Sequence, residues 1–122
     1  MAAPVVHVVD DDAAVRASLV MLLEAEGLAA RPYASAESFL AIAGARRGCV
    51  LADVQMGGMD GLELVARLQA RGLGMPVVLM TGRPDAGLAA RALRLGAVSL
   101  LDKPFTSEAL LAALGSAMMA SR

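Results

Sequence analysis

A small set of residues in this sequence has the types and the placing to do chemistry together. Asp10, Asp11 and Asp12 form an acidic triplet directly after the apolar run Pro4-Val5-Val6-His7-Val8-Val9, and Asp53 closes a second run, Gly48 to Ala52. Thr81 and Gly82 follow Pro76 to Met80, and Lys103 and Pro104 follow the stretch Ala97 to Asp102. Carboxylates brought close together repel, and they ionise together only with a cation among them. Oxygen donors without nitrogen or sulfur favour a hard ion, magnesium first, which keeps several of its waters. A lysine and a hydroxyl opposite such an ion suit a phosphoryl group. The metal and the ammonium neutralise its oxygens, while the hydroxyl and a backbone N–H orient them. An aspartate at the centre can then be the nucleophile itself, forming an acyl phosphate.

These residues meet only if the chain brings the ends of four apolar runs to one edge, and its periodicity predicts that it does. The first strand, Pro4 to Val9, is followed by a helix over Ala13 to Glu26, with Val15, Leu19, Leu22 and Leu23 on one face and Gly27 as its stop. Asp12 is its expected N-cap. A weaker strand, Leu28 to Tyr33, carries no evident chemistry at its end, and Ser35 can cap a helix running to about Ala43. After the strand Gly48 to Ala52, Asp60 and Glu63 have capping-box spacing for a helix ending near Gly72. Pro76 to Met80 is a fourth strand, and Asp85 is the expected cap of a helix that stops at Gly96. Ala97 to Asp102 is a fifth strand, and Thr106 can cap a last helix to about Ala120. Five strand–helix units with near-continuous apolar strands predict an α/β fold: a doubly wound parallel sheet with helices on both faces. In such a sheet, sites form outside the carboxyl ends of the strands.

Composition narrows the reading further. The chain of 122 residues has 12 acidic and 11 basic side chains, a net charge of -1, and a length suited to one domain over the whole chain. Ten of the cations are arginine, and Lys103 alone is lysine. Hydrophobic residues make up 57% and the mean hydropathy is +0.61, which excludes disorder. The longest uncharged stretch is the 13 residues Ala109 to Ser121. A bilayer needs about 20, so the apolar content is expected to form a soluble core, with no membrane partner. No basic patch offers a footprint for nucleic acid. A single histidine and a single cysteine exclude a His/Cys zinc site and an internal disulfide, and favour a cytoplasmic location. The start Met1-Ala2-Ala3-Pro4 lacks the pattern of a secretory leader.

In the segments Val8 to Asp12, Asp53 to Gly61, Met80-Thr81-Gly82 and Lys103-Pro104-Phe105, the sequence closely resembles the response-regulator receiver domain of two-component signalling, the CheY-like fold. The triple aspartate and Thr81-Gly82 are most similar to its FixJ-type subgroup. The resemblance implies a (βα)5 sheet of strand order 2-1-3-4-5. It implies that Asp53 accepts a phosphoryl group from a sensor histidine kinase, and that Asp10 and Asp11 hold Mg2+ with Asp53 and the backbone carbonyl of Gln55. By the same resemblance Lys103 pairs with the phosphoryl oxygens, Thr81 moves toward them on activation, and the Gly82 N–H contributes a bond. The bond from Lys103 to Pro104 is often cis in this family. The implied role is a switch, with slow self-dephosphorylation at most, that changes a partner or output surface. That surface commonly involves helix 4, strand 5 and helix 5, often in a homodimer, and the output expected is regulation of transcription.

Two positions depart from the pattern. The family loop usually reads Met-Pro after the phosphorylation site, whereas here it reads Met56-Gly57-Gly58, and without the ring a more mobile loop is expected. Where the family often has an aromatic residue coupled to the threonine, this chain has Leu100 as its switch position, and no ring is there to move. Other residues have ordinary readings. His7 and Cys49 are expected to be packed in the core, Met118-Met119 to be helix packing, and Arg91 and Arg94 to be a solvated face. Competing functions are a stand-alone receiver acting by protein contact or as a phosphate sink, a receiver that no longer takes phosphate, and a flavodoxin-like binding module. A haloacid-dehalogenase-type phosphatase would require a hydroxyl residue after the first acidic cluster, where this chain has Ala13.

Overall fold

The computed structural model describes residues 5–45 and 47–120. The N-terminal stretch Met1–Pro4, including the expected first residue of strand one, lies outside them. The elements run β1 (Val5–Val9), α1 (Ala13–Ala25), β2 (Ala29–Tyr33), α2 (Ala36–Leu40), a 3-10 turn (Ala43–Ala45), β3 (Gly48–Asp53), α3 (Gly61–Ala70), β4 (Val77–Thr81), α4 (Leu88–Leu95), β5 (Ser99–Asp102) and α5 (Ser107–Ala120). All strand pairs are parallel, in the order β2-β1-β3-β4-β5.

Alternation along the strands divides the core in two. Val6, Val8, Cys49, Leu51, Val78 and Met80 face α1 and α5, packing on Leu19, Leu23, Leu110 and Leu114. Val9, Val50, Ala52 and Leu79 face the other way, onto Phe39, Leu64, Val65, Leu88 and Ala92 of α2, α3 and α4. Both faces are thus covered, which is why the central strands read as unbroken apolar runs. His7 is fully buried as expected. Its Nε2 lies 2.9 Å from the carbonyl oxygen of Arg47, which can only accept, so Nε2 carries the proton. Its Nδ1 then accepts from the Tyr33 hydroxyl at 3.0 Å. Cys49 is buried, and burial pushes its thiol up to about 11, which leaves it inert.

Glycine is required where β3 begins. Gly48 has φ +109, and a Cβ there would collide with the Val5 backbone of the neighbouring strand. The caps of α1, α3 and α5 are as read: Asp12 accepts from Ala14 and Val15, Asp60 from Glu63 at 2.8 Å, and Thr106 from Ala109 at 3.0 Å. Glu63, however, does not complete a reciprocal capping box and instead pairs with Arg67 at 2.8 Å.

Three expectations need correction. The second helix ends at Leu40, short of Ala43, and a 3-10 turn follows. The Leu40 carbonyl is taken by the Arg71 guanidinium at 2.8 Å, so the cap comes from 31 residues away. Asp85 does not cap α4. Gly87 occupies the N-cap position without a side-chain bond, while Asp85 accepts from the Gly87 N–H at 3.0 Å and pairs with Arg91 at 3.4 Å. It shapes the turn before the helix. Of the two C-terminal methionines, Met118 packs on the α1–α5 core but Met119 is 67% exposed. No helix among the described residues is long and apolar enough to cross a membrane.

Candidate functional site

Four parallel strands deliver their carboxyl ends to one edge, and the predicted residues arrive there with them. Asp10 follows β1, Asp53 is the last residue of β3, Thr81 is the last of β4, and Lys103 follows β5. The register aligns Asp53 with Met80 and Thr81 with Asp102, so these ends are level. Helix α3 starts hard against β3. A Cβ on Gly61 would sit 2.6 Å from the Asp53 carbonyl oxygen, so no larger residue fits there without displacing β3.

Lys103 is the hub. Its Nζ lies 2.5 Å from Asp53 Oδ2 and 3.9 Å from Asp10 Oδ2, although its backbone belongs to the sheet's far side. The peptide bond to Pro104 is cis. The stem of Lys103 passes Gly82, where a Cβ would meet its Cδ at 3.9 Å. The other Asp53 oxygen, Oδ1, accepts from the Gln55 N–H at 2.9 Å. The Asp53 carboxylate is therefore held by one ammonium and one backbone donor, and is nearly buried.

Asp10 is 1% exposed, yet its Oδ2 has no hydrogen-bond partner among the described residues. Its Oδ1 accepts from the Asp12 N–H at 2.9 Å. Burial holds its carboxyl above the usual range of 3.8, and the charges of Asp53 and Asp11 push the same way against the Asp12 N–H and Lys103. Buried carboxylate oxygens without donors are costly unless a cation meets them. The folded protein thus favours the protonated acid: this contribution to stability is complete below pH 3.8 and is lost as pH rises through the raised folded value. Asp10→Asn removes the charge and keeps the acceptor for Asp12. In EDTA it is expected to be more stable than the wild type near pH 7, with a much smaller gap near pH 4. Urea unfolding at both pH values checks this, and an equal gap at both would contradict it.

Thr81 is fully buried, and its hydroxyl is engaged twice. It donates to the Gln55 side-chain Oε1 at 2.9 Å and accepts from the Arg83 N–H at 3.0 Å. Leu100 is paired with Leu79 in the sheet and packs against the α2–α3–α4 core. Asp11 is engaged by the loop: its Oδ2 accepts from the Gly57 N–H at 2.8 Å. Among the described residues, no three His, Cys, Asp or Glu side chains stand together as a ready-made metal cage.

Two features had no signal in the sequence. Gln55 was singled out only for its carbonyl, yet its side chain reaches Thr81 across 26 residues. Glu37 on α2 accepts from the Met59 N–H at 3.3 Å, so carboxylates hold the loop at residues 57 and 59. In front of these groups lies an open groove of about 580 Å³, with Asp11, Gln55, Arg83 and Arg91 on its walls. A separate cleft of about 200 Å³, lined by Val65, Pro76 and Gly96 among others, opens at the amino ends of β4 and β5 and contains none of the site residues.

Residues 6–115 match the family described as the response regulator receiver domain. The chain is 49% identical over 114 residues to the transcriptional regulatory protein FixJ of Azorhizobium caulinodans, covering 93% of this chain and 54% of that protein. It is 44% identical to FixJ of Bradyrhizobium diazoefficiens, covering 93% of this chain and 56% of that protein. The chain spans about half the length of the curated relatives it matches. The crystal structure of FixJ-N superposes with a TM-score of 0.92 at 36% identity, covering 98% of this chain and 96% of that one.

Proposed function

This chain belongs to the response regulator receiver domain family, and from that premise we propose that it is a magnesium-dependent phosphoryl switch with Asp53 as acceptor. The observation that carries the reading is the Lys103 ammonium, 2.5 Å from Asp53 and 3.9 Å from the buried Oδ2 of Asp10, which has no hydrogen-bond partner among the described residues. A nearly buried carboxylate at the mouth of a parallel sheet, beside a cation and a second carboxylate, suits anionic substrate chemistry better than packing.

The donor set is all oxygen, and the orphaned oxygen of Asp10 fits a hard cation. Asp10, Asp11, Asp53 and the Gln55 carbonyl would hold Mg2+, which neutralises phosphoryl oxygens when bound. Asp53 attacks the phosphorus of a phosphohistidine on the sensor kinase. The new bond joins a carboxylate oxygen to phosphorus, while the P–N bond breaks and its electron pair returns to the imidazole. The product is an acyl phosphate. Lys103, already beside Asp53, orients that oxygen and then pairs with the phosphoryl group. The Gly82 N–H gives it a further donor. Thr81 exchanges its bond to Gln55 for one to the phosphoryl group, and that exchange biases the equilibrium between two conformations. Leu100 follows by repacking beside Thr81, without a ring.

The surface that changes is α4, β5 and α5. Leu93 and Leu95 on α4 and Met119 on α5 are exposed apolar side chains suited to a homodimer contact. The relatives are named as transcriptional regulators and are about twice as long as the matched segment. We read this chain in the same way, as the cytoplasmic receiving part of such a regulator, a switch without turnover of its own beyond slow self-dephosphorylation.

Incubation with acetyl phosphate tests the proposal. Intact mass should show one phosphoryl adduct with Mg2+ and none with EDTA. An adduct of equal yield in both would overturn the metal requirement.

A further inference from the structure

The geometry points to a device in the loop after β3: the Gly57 N–H takes up Oδ2 of Asp11, an oxygen that a cation would otherwise have, and thereby weakens magnesium binding. This inference rests on reading Asp10, Asp11 and Asp53 as the magnesium-holding set. The bond runs from the Gly57 nitrogen to Asp11 Oδ2 at 2.8 Å and joins residues 46 positions apart. It exists only because residue 57 has an amide hydrogen. A proline, the residue the family pattern usually carries there, could not make it. The other glycines of the region have different tasks. Gly58 has φ +74, and Gly61 is pressed against the Asp53 backbone, whereas Gly57 is not among the positive-φ residues. Nothing in its own backbone handedness therefore calls for glycine.

The consequence is visible in how the acidic residues stand. Asp10 and Asp53 are both within reach of the Lys103 ammonium. Oδ2 of Asp11 is engaged by the loop, and no three acidic side chains among the described residues are gathered to share an ion. To offer Oδ2 to a cation beside Asp10 and Asp53, Asp11 has to give up or distort a charge-assisted hydrogen bond. The loop cannot simply follow it, because Glu37 holds the next part through the Met59 N–H at 3.3 Å. Breaking such a bond lowers apparent affinity by about tenfold. The loop would thus set the free magnesium level at which the switch becomes competent.

The test is a Mg2+ titration of three proteins, followed by amide NMR shifts at the site or by calorimetry. Gly57→Pro removes the donor and should bind Mg2+ about tenfold tighter than the wild type. Gly57→Ala keeps the donor, and its Cβ would sit at an ordinary 3.7 Å from Asp11 Oδ2, so it should match the wild type. Equal or weaker binding by a folded Gly57→Pro overturns the inference, since the bond would then be neutral or would help to position Asp11. Should Gly57→Pro fail to fold, hydrogen exchange of the Gly57 amide in the wild type decides. Faster exchange on Mg2+ addition supports the device, and unchanged protection at saturating Mg2+ overturns it. Absence of Mg2+ binding by all three proteins at millimolar concentrations would instead overturn the metal reading itself.

Discussion

Asp53→Asn is expected to lower the rate of phosphoryl uptake from acetyl phosphate by on the order of a thousandfold or more, the scale of removing a nucleophile. The neighbouring aspartates cannot replace it. Asp10 is 1% exposed, and the nearest cation to its free oxygen is at 3.9 Å, whereas Asp53 is gripped at 2.5 Å. Oδ2 of Asp11 accepts from the Gly57 N–H. The amide of the variant keeps an oxygen for the Gln55 N–H, so the β3–α3 loop should stay in place. Urea unfolding should accordingly show little loss of stability. Initial rates by intact mass, with wild type and variant at equal Mg2+, check the prediction. Uptake by the variant within tenfold of wild type would assign the acceptor elsewhere.

Lys103→Arg is expected to separate binding from switching. The charge is kept, so Mg2+ binding should change little. A guanidinium is a planar fork with spread charge, and it cannot present one compact ammonium to both Asp53 and Asp10. Its stem would also have to carry a wider head past Gly82, which lies against the lysine side chain. Losing one charge-assisted contact in the activated state should reduce the activated population about tenfold or more. Beryllofluoride with Mg2+, followed by NMR shifts on α4 and β5, reads that population. A wild-type response in Lys103→Arg would remove the lysine from the switch.

Much of the fold was legible because the strands advertise themselves. Aspartates at the ends of β1 and β3, Thr81 at the end of β4 and Lys103 just after β5 all close apolar runs, so the pattern placed them on one edge before any coordinates. The strand order rested on the resemblance, and it is the order observed. Boundaries were less legible where distant residues decide them. The end of α2 depends on Arg71, and the start of α4 depends on a turn in which Asp85 bonds Gly87. Neither contact has a local signature. The same holds inside the site. Gln55 to Thr81 and Asp11 to Gly57 are bonds between chain segments whose distance is set by the whole sheet. The sequence identifies which groups reach the edge, and the packing decides which of them touch before any ligand arrives. The absent proline at residue 57 points to a more mobile loop, and the bonds that this loop makes to Asp11 and Glu37 have no signature in the sequence.

The most direct measurement is the position of the phosphoryl group itself. The chain is incubated with acetyl phosphate and Mg2+, the acyl phosphate is reduced with borohydride, and the modified residue is identified by peptide mass spectrometry. A single modification at Asp53, absent when Mg2+ is chelated, is the predicted result. No modification, or modification at Asp10, Asp11 or another residue with Asp53 intact, would contradict it.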